Sequence, residues 1–128
     1  MLDQLITSHP LLFGGQPPFF ASSLPVGWYG IADAVCQQLE TRLTPLQLSL
    51  IAVARIRATG GQLDFTLMGV YSEFVHVMLD LAAQLSTMTC QECGAHPAQY
   101  RGAAVNLTLC GFCEHERCLR RMRQRRAG

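Results

Sequence analysis

Six cysteines carry the first chemistry legible in this chain. Four of them form two Cys-x-x-Cys pairs, Cys90-Gln91-Glu92-Cys93 and Cys110-Gly111-Phe112-Cys113, with 16 residues between the pairs. Each such turn points two thiolates to one side, and two facing turns complete a tetrahedron around one zinc ion at ~2.3 Å from each sulfur. A separation of about 15–20 residues recurs in zinc sites. Gly94, directly behind the first pair, suits the positive-φ turn that such a knuckle needs. The expectation is one structural Zn²⁺ on Cys90, Cys93, Cys110 and Cys113. His115 and Cys118 are substitutes for Cys113 as the fourth ligand, and His96 lies between the pairs. Catalytic zinc keeps an open position, which four thiolates close. Thioredoxin-like redox chemistry needs its Cys-x-x-Cys within a βαβ unit, which this pattern lacks. Cys36 sits on the apolar side of a helical pattern and reads as a small core residue.

The second chemical feature is an arginine cluster: Arg117, Arg120, Arg121, Arg123, Arg125 and Arg126. Guanidinium groups bind phosphate and carboxylate bidentately, so the cluster is a candidate contact for a nucleic-acid backbone or an acidic protein. A solubilising terminus is the plain alternative. No aromatic residue follows Phe112 in the tail, so any nucleic-acid contact there would be electrostatic rather than by base stacking.

No phosphate loop, nucleophile elbow, HExxH or dinucleotide fingerprint accompanies these features, and the expectation is a protein without enzymatic activity. The pairs Asp33/Glu40 and Glu73/Asp80 are seven residues apart, a spacing as common on solvated helix faces as in catalytic pairs. His76 reads as a surface histidine.

The elements that must carry these residues follow from periodicity. Residues 1–8 suggest a short helical arm, and residues 9–27 a Pro/Gly-rich irregular segment in which Phe13, Phe19 and Phe20 either plug the core or form a partner-binding lip. From Trp28 to Leu43, Trp28, Ala32, Val35, Cys36, Leu39 and Leu43 recur at helical intervals, and Pro45 stops that helix. Residues 47–58 change to a period of two, with Leu48, Leu50, Ala52, Ala54 and Ile56 on one face. Thr59-Gly60-Gly61 then turns into a second alternating run through Leu63, Phe65 and Leu67: a β-hairpin. Arg55 and Arg57 face Asp64 across it. Residues 71–87 are helical again, with Phe74, Val77, Met78, Leu81 and Leu85 as the apolar face. The fold class is therefore α+β: helix, β-hairpin, helix, then a four-cysteine zinc ribbon and a basic helical tail. The apolar face of the hairpin is expected to pack on the two amphipathic helices. The division is an α+β body at 1–88 and a ribbon with Arg-rich tail at 89–128.

The chain has 128 residues, 49% hydrophobic and 15% charged, which suits one folded domain and excludes a disordered segment. All ten basic residues are Arg. The formal +1 is a cancellation: residues 1–88 hold three Arg against six acids, residues 89–128 seven against three. No basic stretch marks a secretory signal at the N-terminus. Prolines and glycines interrupt the uncharged run from Gln4 to Ala32, which argues against a membrane span. These features, with six cysteines that include two pairs in metal-type spacing, point to the cytoplasm.

Two resemblances rest on these residues. Cys90 to Cys113, with Cys-x-x-Cys-Gly, Pro97, Arg101, Ala103-Ala104 and the closing Cys-x-x-Cys, resembles the zinc finger of the DksA/TraR family, which implies RNA polymerase as partner. Gly27-Trp28-Tyr29, Gly61-x-Leu63-x-Phe65, Ser86, Thr89-Cys90-x-x-Cys93-Gly94 and Thr108-Leu109-Cys110 resemble small phage and mobile-element zinc-ribbon proteins. That second resemblance spans roughly residues 27–115 and implies an accessory protein that binds and modulates or inhibits a host protein or ribonucleoprotein complex, such as a CRISPR–Cas defence complex. Phe19, Phe20, Trp28 and the six tail arginines are the candidate contacts. The alternatives are a transcription regulator bound to polymerase or nucleic acid and, behind it, a zinc or redox enzyme.

Overall fold

A computed structural model describes residues 1–95, 100–101 and 108–127. His96 and Pro97 lie outside the described residues, as do Ala103 and Ala104. The chain forms α1 (Leu2–Ser8) and α2 (Pro10–Phe13), a single 3-10 turn (Val26–Trp28), α3 (Tyr29–Arg42) and α4 (Pro45–Ser49). These are followed by β1 (Ile51–Thr59), β2 (Gln62–Gly69), α5 (Glu73–Ser86), β3 (Tyr100–Arg101), β4 (Thr108–Leu109) and α6 (Gly111–Ala127). The α+β class and its element order are as expected, with two additional short helices: α2, inside the segment 9–27 expected to be irregular, and α4.

α4 stands where the alternation of residues 47–50 suggested the start of a strand. Thr44 accepts from the Gln47 N–H at 3.2 Å while the Gln47 side chain accepts from the Thr44 N–H at 2.9 Å, and Pro45 takes the first helical position. A complete capping box with proline at N1 is a stronger local signal than three alternating leucines and serines. The strand begins only at Ile51.

β1 and β2 pair antiparallel from Ile51↔Gly69 to Thr59↔Gln62 around a turn in which Gly60 (φ 60°) and Gly61 (φ 79°) take the left-handed conformation that a tight hairpin requires. The register shifts between Val53 and Arg55, leaving Ala54 as a bulge. A bulge reverses which side chains face in. Ile51 and Val53 therefore point to the core before it and Ile56 after it, whereas the expected face of Leu50, Ala52, Ala54 and Ile56 assumed one unbroken phase. Arg55 and Arg57 meet Asp64 at 3.0 and 3.4 Å, as expected.

The free edge of β1 is covered by the irregular N-terminal segment. Phe19 and Phe20 donate backbone N–H bonds to the carbonyls of Val53 and Ala54, and Ser23 to that of Ile56. A covered edge is protected from pairing with another chain. The core beneath joins Leu5, Trp28, Val35, Cys36, Leu39, Ile56 and Val75, each almost wholly buried. Trp28, expected with Phe19 and Phe20 at a contact surface, is corrected to a core residue: it is 0% exposed, and its indole N–H donates to the Thr89 carbonyl at 2.8 Å.

The largest departure is in α5. Its span is as expected, but its burial is not. Val75, Ala82 and Ser86 face the body, whereas Phe74, Val77, Leu81 and Leu85 are exposed. The rotation has a local cause. The buried Ser86 hydroxyl accepts the Leu63 N–H at 2.7 Å and donates to the Ala83 carbonyl at 2.6 Å, tying the small-residue face of the helix to β2. Turning the large residues inward would leave that strand N–H unpaired in the core, at a cost of about 1–3 kcal/mol.

Candidate metal centre

The first knuckle is a turn closed by the Gly94 N–H on the Cys90 carbonyl at 2.8 Å, with Gly94 at φ 83° as the sequence required. Cys90 also donates its N–H to the Ala95 carbonyl at 2.8 Å. The second pair brackets the start of α6: Cys110 immediately precedes the helix, Cys113 lies in its first turn, and the Cys113 N–H approaches the Cys110 sulfur at 3.5 Å. The partial positive charge of the helix N-terminus therefore lies beside this second pair. The short β3–β4 pair sets Tyr100 opposite Leu109 and holds the second pair beside the first.

The four sulfurs of Cys90, Cys93, Cys110 and Cys113 lie within 4.8 Å of one another, and Cys93 and Cys110 are 3.6 Å apart. Tetrahedral coordination at ~2.3 Å places sulfurs ~3.8 Å apart, so the cluster has the size of one four-thiolate ion site. Among the described residues it is the only group of three or more possible ligands. Cys113 is the fourth member. Cys118 instead turns to Glu114 at 3.8 Å, and His115 is exposed outside the group. Burial works against the Cys90 thiolate, but backbone N–H groups of Cys110, Cys93 and Glu92 outweigh it and lower the pKa to about 7. Burial and its three sulfur neighbours push the Cys113 thiol well up. One thiolate therefore forms readily while Cys93 and Cys113 hold their protons, and a bound cation would favour their release.

The cluster is joined closely to the body. Gly27 donates its N–H to the Gln91 carbonyl at 2.8 Å, and a methyl group at Gly27 would stand 2.0 Å from the Cys90 carbonyl oxygen. The Thr108 hydroxyl donates to the Gly61 carbonyl at 2.5 Å, and the Gln91 N–H to the Thr108 carbonyl at 2.9 Å. Gly27, Trp28, Gly61, Thr89 and Thr108, all quoted above for the phage-type resemblance, take part in bonds that attach the knuckle to the hairpin and to the turn before α3, while Gly94 closes the knuckle itself and Leu63 and Ser86 join β2 to α5.

The arginine cluster divides. Arg117 and Arg120 reach the Glu92 carboxylate at 3.4 and 3.5 Å, bracing α6 against the first knuckle. Arg121, Arg123 and Arg125 are exposed along α6, and Arg126 continues the same helix. Of the apolar contacts, Phe19 and Phe20 are 73% and 51% exposed and stack edge to face at 5.0 Å.

Sequence reading missed His9. Its Nδ1–H donates to Glu40 and its Nε2–H to Asp33, both at 2.6 Å, while the other Glu40 oxygen accepts the Leu12 N–H at 3.0 Å. The seven-residue spacing of the acids is thus a clasp on α3 that holds α1 and α2. Both ring nitrogens are engaged as donors, which leaves no lone pair for a metal or a substrate proton. Burial lowers the imidazolium pKa, but the bonds to Asp33 and Glu40 outweigh it and hold it above its ordinary value. A histidine raised on folding stabilises fully below its unfolded pKa of about 6.5, and that contribution is lost as pH rises through the folded value. Proteolysis within residues 1–15 is expected to accelerate in the wild type as pH rises from about 6.5 through that folded value. His9→Gln should flatten the profile, and an unchanged profile in the variant would contradict the clasp.

Among the described residues no helix is long and apolar enough to cross a membrane. Comparison with protein-family models, curated proteins and solved structures finds no match to the chain.

Proposed function

We propose that this protein is a non-enzymatic, zinc-stapled binding protein that docks on a large protein or ribonucleoprotein complex and modulates it. The supporting observation for zinc is the closed set of four thiolates, a donor set that favours Zn²⁺ and leaves no position open for substrate. The observation that carries docking is the pair Phe19–Phe20. Two adjacent aromatic rings stand in solvent on a backbone anchored to β1, so they are presented rigidly, and rigid exposed aromatics are typical interface anchors. The phage or mobile-element setting and an inhibitory effect, as on a defence complex, rest on the sequence resemblance.

Purification of the zinc-loaded protein with its partner from the native host tests this reading. Phe19→Ser/Phe20→Ser should abolish nuclease-resistant capture while leaving the melting temperature nearly unchanged, since both rings are already exposed. Retention of the partner by that variant would count against the reading.

The exposed arginines of α6 favour one second reading, a regulator bound to nucleic acid or polymerase. Capture that is lost with nuclease or salt, and lost on replacing Arg121, Arg123 and Arg125 by Ser, would select it.

A further inference from the structure

α5 exposes a stripe that neither the metal centre nor the Phe19–Phe20 surface uses. Phe74, Val77, Leu81 and Leu85, with Met88 in the turn behind the helix, are 44–58% exposed, and Met78 is half-buried beside them. Phe74, Met78, Leu81, Leu85 and Met88 recur at intervals of four, three, four and three residues, the spacing by which one helix packs along another. The helix cannot turn to hide them, because Ser86, Val75 and Ala82 already fix its other face to the body. The expected occupant is therefore another helix.

We propose that the occupant is α5 of a second copy of this chain, running antiparallel about a two-fold axis at the middle of the helix. That operation sets Phe74 against Leu85 of the second copy and Met78 against Leu81, so these four residues each meet a large apolar partner. Charge supports self-pairing over a charged partner. The open side of the seam is flanked by Val77 and Gln84 and the body side by Val75 and Ala82, while Glu73 and Asp80 stand further back on the solvated face. Across the two-fold, Val77 meets Gln84 of the second copy, and the one charge bordering the stripe is Arg42, whose guanidinium lies over the Phe74 ring at 5.4 Å and is held there by that cation–π contact. Five half-exposed side chains hold roughly 450 Å² per chain, and two copies with their flanking residues bury on the order of 1,200 Å², the lower end of a specific interface. Closed two-fold pairs are also the commonest assembly of soluble chains. The proposal is independent of zinc and of the host partner.

Sedimentation of the zinc-loaded full chain at micromolar concentration tests it. The wild type should run at twice 14.1 kDa. Leu81→Arg, which buries two unpaired charges per dimer, should weaken the dimer roughly a hundredfold or more and give a folded monomer with unchanged zinc content. Val77→Glu should also weaken the dimer, and adding Gln84→Arg should restore it, because each Glu then faces an Arg across the two-fold. A monomeric wild type, which would leave the stripe to a different protein, overturns the proposal. So does a dimer that survives Leu81→Arg, or one whose Val77→Glu defect Gln84→Arg fails to restore.

Discussion

Stripping zinc with a strong chelator, or replacing Cys90 by Ser, is expected to unfold the chain from Thr89 through the start of α6 and leave the body folded but weakened. The described part of the module has little else to hold it: its buried cluster is Cys90, Leu109 and Cys113, with Cys110 packed against it. Structural zinc in such sites contributes about 10–16 kcal/mol, far more than three small side chains bury. The body has its own core around Trp28, Leu39 and Ile56 and does not need the metal to close. It does lose its seam. The bonds from Gly27 to Gln91, from the Trp28 indole to Thr89 and from Thr108 to Gly61 all end on the module or its threshold. Trp28 is the only tryptophan, so its emission should shift to the red on chelation as the indole N–H loses its partner and gains water. Far-UV circular dichroism should fall only in part. Emission and dichroism both indifferent to the chelator, with zinc released, would rule out a structural metal. Because the ligand thiols must lose protons, and Cys113 holds its proton strongly, zinc affinity should fall as the solution is acidified.

Gly27→Ala should be among the most damaging single substitutions outside the cysteines. The added carbon would stand 2.0 Å from the Cys90 oxygen, 2.6 Å from the Gly94 nitrogen and 2.7 Å from the Gln91 carbonyl carbon. All three are backbone atoms of the knuckle, so no side chain can swing aside. Either the 3-10 turn or the knuckle must move, and the expected loss is about 4 kcal/mol or more, within the rare severe class. Zinc affinity should fall with it, since the same displacement opens the sulfur cluster. Gly30→Ala is the matched control. Three residues away in α3, it meets nothing within 4 Å and should stabilise the helix by roughly 0.5–1 kcal/mol. Thermal melts and zinc titration of the two variants separate the readings: similar behaviour would mean that Gly27 is not a close contact.

The spans of α3 and α5, the Gly60-Gly61 turn and the four cysteines were all legible in sequence. Each is a local signal, written within one turn, one period or one short spacing. α2, α4 and the Ala54 bulge were not. α2 is too short to show a period, and at α4 and the bulge a continuous alternation of apolar residues masks a local interruption that periodicity averages away. The role of Trp28 was misjudged because a tryptophan at a helix start carries the same apolar signal whether it anchors a core or a partner.

The sequence by itself determined that two cysteine pairs can close on one ion, because knuckle geometry is set within four residues and the intervening length merely permits closure. It determined the polarity of the chain as well, since formal charge depends on no contact. Tertiary structure alone decided that Cys113 and not Cys118 or His115 completes the cluster. It alone brought His9 between Asp33 and Glu40, and it chose which face of α5 to bury. The reason is common to all three. They depend on partners 20 or more residues away — Cys90 from Cys113, His9 from Asp33, Leu63 from Ser86 — and a helix apolar over more than half its circumference accepts either rotation until one buried hydrogen bond selects it.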